Sequence, residues 1–142
     1  MSKAMSVAEL KAYMDKMAKE AMLKGNAVKD TVIQTGQKHV KEDVYDKYPN
    51  PRMYQRSGGL MEDWDYKETS DGIAIYSNRI DKETGKNIGY TIETGQGYDY
   101  DFEYSGVPRP FIEETRKELA SDKRILADAL KRDLKNIGIK TN

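Results

Sequence analysis

Three carboxylates at alternate positions, Asp99, Asp101 and Glu103, form the chain's best candidate cluster of metal ligands or acid–base groups. Their spacing is that of the opening of a calcium loop, where oxygen ligands stand at every second position before a glycine turns the chain. Tyr104 occupies the glycine position and Pro110 the position of the bidentate glutamate, so the rest of that pattern fails. The three acids read as a solvated or interface face, with a loose cation site as the alternative.

Nucleophilic catalysis needs a nucleophile, a base and an orienting group within reach of one another. The chain has one histidine, His39, set among Lys38, Lys41, Glu42 and Asp43 in the manner of a solvated helix face. It has no cysteine, which removes a disulfide framework, a thiolate metal site and a cysteine nucleophile together. Ser57, Gly58 and Gly59 suggest a phosphate cradle, but no lysine follows at P-loop spacing. A tight turn that lets Leu60 drop into the core explains them better. Met14, Met17 and Met22 at helical spacing read as core filler rather than a cofactor box. The expectation is a protein that is not an enzyme, with no catalytic residues, no metal and no cofactor.

The acids alternate with aromatics. If residues 98–104 are extended, Tyr98, Tyr100, Phe102 and Tyr104 point one way and Asp99, Asp101 and Glu103 the other. Four aromatics in seven residues exceed what a small core needs, so two explanations stand side by side: contact with another subunit, or folding back to complete the core. A stacking platform for sugars or bases fits less well, because the opposite face is acidic. Arg109 lies between Pro108 and Pro110 at a fixed backbone position. It either pairs with an acid across a subunit boundary, or caps its own helix or sits in water.

The elements that must position these residues follow from spacing. Ser6 and Glu9 form a capping-box pattern ahead of Leu10, Met14, Met17 and Ala21, which predicts a first helix. Gly25 and Asn26 interrupt the pattern before Val28, Val32, Val40 and Val44 resume it, so one long helix with a weak point and two helices in series both remain open. Tyr48, Pro49, Asn50 and Pro51 stop the helical region. Three strands are then expected: one with Trp64 and Tyr66 on a face, one with Ile73, Ile75 and Ser77, and one with Tyr90, Ile92 and Thr94, ending at Gly95. Turn residues separate them, and the expectation is an antiparallel β-meander. Pro110 opens a helix carrying Phe111, Ile112, Thr115 and Leu119 inward, with Glu113 and Glu114 suiting its positive end. A break near Ala120, a possible cap at Ser121, a last amphipathic helix from Ile125 to Ile137 and a closing Gly138 complete the chain. The fold class is α+β, as a single domain over residues 1–142 with a long loop at 96–106.

At 142 residues the chain can bury one core, but only 37% of it is hydrophobic against 34% charged. Its formal net charge is zero, yet unevenly spread: residues 1–50 carry 9 basic and 7 acidic side chains, residues 51–108 carry 6 and 11, and residues 109–142 carry 9 and 6. An acidic middle without a concentrated basic patch disfavours direct nucleic-acid binding. MSKAMSVAEL lacks the apolar run of a signal peptide and nothing later reaches a membrane span, so a soluble, cytoplasmically made protein without a membrane partner is expected.

Three strings occur in a familiar order. Arg56-Ser57-Gly58-Gly59-Leu60 resembles an R-T-G-x-L turn, Gly89-Tyr90-Thr91-Ile92-Glu93-Thr94-Gly95 resembles a Y-A-x-x-V-E-x-G-T strand and turn, and Pro108-Arg109-Pro110-Phe111-Ile112 resembles an x-R-P-F-L helix start. Together, over about residues 5–137, they resemble the head–tail joining family of tailed bacteriophages, also called tail-completion or neck proteins. That resemblance implies an α+β subunit whose N- and C-terminal helices pack on an antiparallel sheet. It also implies a homo-oligomeric ring, usually of six, between the capsid portal complex and the tail tube, with portal-adaptor, tail-tube or tail-terminator proteins as neighbours. It implies location in the virion, no catalysis, and DNA passing through the lumen without specific binding. The sequence departs from the family at Ser57, at Thr91 and in the longer acidic-aromatic stretch from Gln96 to Gly106. On this reading Asp99, Asp101 and Glu103 face the channel or its rim, and Tyr98, Tyr100, Phe102, Tyr104 and Arg109 meet a neighbour. A small non-catalytic binding module or regulator is the alternative.

Overall fold

A computed structural model describes residues 6–48, 59–70, 72–81, 85–97 and 104–140. The elements run in the order α1 (Val7–Lys24), α2 (Ala27–His39), a π-helical segment (Val40–Asp46), α3 (Gly59–Glu62), β1 (Trp64–Glu68), β2 (Ile73–Ser77), α4 (Ile88–Thr94), α5 (Phe111–Ser121) and α6 (Lys123–Asn136). The fold is α+β, with β1 and β2 forming a two-stranded sheet. The chain divides into two compact units, one built from Met1–Thr31, Tyr66–Ala74 and Lys123–Asn142, the other from Val32–Asp65 and Ile75–Asp122.

In the first unit α1 packs against α6. The Ser6 hydroxyl accepts a hydrogen bond from the Glu9 amide at 3.1 Å, so the cap expected from the sequence is in place. Small residues sit under the helix pair: Ala21 and Ala129 are fully buried. The break between α1 and α2 is real, and its cause lies far along the chain. Asp133, on α6, accepts from the amides of Ala27 at 2.9 Å and Val28 at 3.0 Å, satisfying the first donors of α2 from another helix. Gly138, at φ +89°, closes α6 in the left-handed conformation, and the Ile139 amide returns to the Leu134 carbonyl at 3.0 Å.

The second unit holds a core of Val40, Val44, Leu60, Ile92 and Phe111, with Tyr45, Met61, Trp64 and Ile88 packed around it. Val40 and Val44 are both fully buried, one turn apart in the π-helical segment, where Lys41 reaches Asp46 five positions on at 2.8 Å. Gly36 exists for Trp64: a β-carbon there would lie 2.5 Å from the indole Cη2. Trp64 meets Phe111 edge to face, ring centroids 6.1 Å apart. Leu60 does drop into the core, though from the short helix α3 rather than from a bare turn.

Two expectations are corrected here. The third strand, over Tyr90 to Thr94, is the helix α4, so the meander reduces to a hairpin. Asn87 caps that helix, its Oδ1 accepting from the Tyr90 amide at 2.8 Å, and Gly95 ends it at φ +74°. A cap residue and a left-handed glycine eight positions apart bracket one short helix, and they outweigh three alternating residues. The second correction concerns α1. Met14, expected as core filler, is 59% exposed, and Leu10 on the same face is 48% exposed.

Candidate interaction surface

Of the residues singled out for chemistry, Tyr98, Asp99, Tyr100, Asp101, Phe102 and Glu103 lie outside the described residues. Tyr104 and Arg109 are described, and they meet. The Arg109 guanidinium carbon lies 4.8 Å from the centre of the Tyr104 ring and 5.7 Å from that of Tyr48, while the two rings contact edge to face at 5.3 Å. The Arg109 amide donates to the Ile92 carbonyl at 3.0 Å, and the side chain is 1% exposed. Expected at a subunit boundary, in its helix cap or in water, Arg109 is buried against two aromatic faces of its own unit. Tyr104, the last of the alternating aromatics, likewise folds back onto its own chain.

His39 is 9% exposed rather than solvated. Its Nδ1 stands 2.5 Å from Asp43 Oδ2. Its Nε2 lies 3.4 Å from Glu118 Oε1, at ion-pair distance but outside hydrogen-bonding geometry. Lys38 also bonds Glu118, and that bond above all holds the Glu118 carboxyl below its ordinary pKa. The arrangement ties the end of α2 to α5 through charge. Both ring nitrogens face acids. Among the described residues no cluster of three or more His, Asp or Glu side chains could hold a metal ion, and no helix is long and apolar enough to cross a membrane.

Two surfaces stand out instead. In the first unit, the amino-terminal half of α1 carries Val7, Leu10 and Met14 at i, i+3 and i+7, one face of a helix. Val7 is 87% exposed, and Tyr13, beside the stripe, 49%. The same face is buried only further along, at Ala21.

In the second unit, an open groove of about 280 Å³ lies between β2, α4 and the start of α5. Ile75, Tyr76, Tyr90 and Ile112 make it apolar, and Tyr90 is 65% exposed. Its floor is set by a close approach: a β-carbon on Gly89 would stand 2.8 Å from Ser77 Oγ, so α4 can lie directly on β2 only with glycine there. Asn87 fixes the same corner by donating from Nδ2 to the Ser77 carbonyl at 3.0 Å. At the rim, Glu93 accepts from the amides of Ile112 at 2.7 Å and Glu113 at 3.0 Å, capping α5 from α4. Burial nonetheless pushes its carboxyl above the ordinary carboxylate range, and the neighbouring Glu113 and Glu114 charges push the same way. Neither surface was legible in the sequence, because the groove depends on α4 being helical and the stripe reads as core.

Comparison with known proteins supplies the lineage. A family model described as YomN matches residues 6–136. A relative in Bacillus subtilis (strain 168), "SPbeta prophage-derived uncharacterized protein YomN", is 38% identical over 143 residues, covering 98% of this chain and 99% of its own length. No solved structure matches.

Proposed function

The chain belongs to the YomN family, and from that premise we propose that it is a structural component of a phage particle, forming a ring at the neck that joins the DNA-filled head to the tail. The observation that carries this reading is the exposed apolar stripe of α1 in a chain with little apolar material to spare. A small protein that keeps Val7, Leu10 and Met14 in water is built for contact with other protein. The prophage-derived relative, similar along its whole length, supports a phage context. The three strings quoted above support the neck, although the second of them is a helix here rather than a strand. The acidic middle of the chain suits the wall of a passage for DNA, because acid repels phosphate where a basic wall would hold it. Asp99, Asp101 and Glu103 are the residues assigned to that wall.

Deletion of the gene from an inducible prophage tests this. The expected result is DNA-filled heads and free tails that do not join, rescued by the gene supplied in trans. Infectious particles with attached tails in the deletion strain overturn it. A stable monomer absent from purified particles points instead to a small regulatory binding module.

A further inference from the structure

We propose that copies of this chain join head to tail, the α1 stripe of one copy seating in the groove between β2, α4 and α5 of the next. The proposal rests on the assembly reading above and supplies the surfaces that it leaves unnamed.

Both halves of the contact are on one chain. The stripe is convex, being a helix face with Val7, Leu10 and Met14 standing out, and the groove is concave, walled by Tyr76, Tyr90 and Ile112. Both are apolar and open to solvent. A foreign partner would use one and leave the other in water, whereas a second copy uses both, and a closed ring uses every stripe and every groove once. Two different patches make a heterologous contact, the kind that generates rings when the rotation closes.

Charge agrees. The groove rim carries Glu93, with Glu113 and Glu114 near enough to disfavour its ionisation. Glu113 and Glu114 have cations in their own helix, Arg116 and Lys117, but the described residues place no cation beside Glu93. Lys11 stands four positions after Val7 and three before Met14, so it flanks the stripe on the same side of α1. Seating the stripe brings an ammonium to a rim where the described residues place none, which favours this register over a reversed one.

The chain has no cysteine of its own, so disulfide trapping is clean. Leu10→Cys and Tyr90→Cys are made as separate proteins, both at exposed positions, and oxidised alone and mixed, with native mass measurement of the wild-type chain alongside. The mixture is expected to give a cross-linked pair that neither protein gives alone, and Leu10→Asp is expected to weaken association about tenfold or more with helical content unchanged. Self-cross-linking of Leu10→Cys, or no cross-link in a mixture whose wild-type parent is oligomeric, overturns this contact and leaves the ring standing. A wild-type chain that stays monomeric at every concentration, with no cross-link, overturns the contact and the ring together.

Discussion

The carboxylate of Asp133 fills the space that a side chain at position 25 would need: a β-carbon built on Gly25 would lie 2.1 Å from Asp133 Oδ1. Glycine at 25 is thus set by a residue on another helix, since its own φ of −91° demands nothing unusual. Asp133→Ala leaves the Ala27 and Val28 amides without their acceptor, at an expected cost of about 1–3 kcal/mol. Gly25→Ala displaces the same carboxylate, so the double variant is expected to cost less than the sum of the two single changes. Urea unfolding midpoints measure all three, and strict additivity would refute the coupling.

Glu93 and Glu118 give stability opposite pH dependences. The Glu93 pKa is raised above its ordinary 4.5 by burial first, so the folded chain takes up that proton more readily than the unfolded one. Its contribution is full below pH 4.5 and lost as pH rises through the raised folded value. The Glu118 pKa is lowered, mainly by the Lys38 hydrogen bond, so its contribution is present above 4.5 and lost as pH falls through the depressed value. Glu93→Gln is expected to flatten the stability profile just above 4.5, and Glu118→Gln to flatten it below. Unfolding midpoints across the acid range decide, and unchanged profiles would count against both assignments.

Trp64 is the chain's one tryptophan, and its indole lies against Gly36. Gly36→Ala forces the ring to move, with an overpacking cost of about 1–3 kcal/mol. The emission maximum should shift as the indole leaves its place beside Phe111. A variant with wild-type emission and stability would show that the core yields there freely.

Arg109 should behave as a core residue. Arg109→Lys keeps the charge but loses the planar face toward Tyr104 and Tyr48, at about 1–2 kcal/mol, and Arg109→Ala should cost more. Near-ultraviolet circular dichroism follows the tyrosines and thermal unfolding the stability. Loss of oligomer with monomer stability intact would return the guanidinium to a subunit boundary.

How much of this could be read from the sequence depends on whether the deciding contact is local. Ser6 with Glu9 and Gly138 after α6 act within a few residues, and both helix ends fall as expected. Leu60 and Phe111 are core residues, also as expected. Local spacing does not decide the break at Gly25, because its cause stands more than a hundred positions away, at Asp133. Tyr90, Ile92 and Thr94 suggested a strand because β-branched and aromatic residues alternate there, but Asn87 and Gly95 were the local signal that determined the outcome. The α1 stripe escapes the pattern for another reason: a helical apolar pattern says which face is sticky and is silent on whether the cover is the chain itself or a second molecule. Nothing in the spacing marked the groove, because Ser77 and Gly89 meet only after α4 lies down on β2.

The cap that Asp133 lends to α2 also bears on synthesis. A ribosome releases residues 27 and 28 long before residue 133 exists, so the first amides of α2 have no partner but water until α6 has emerged. A chain cut before residue 133 lacks that acceptor, so a change in α6 is felt at the start of α2.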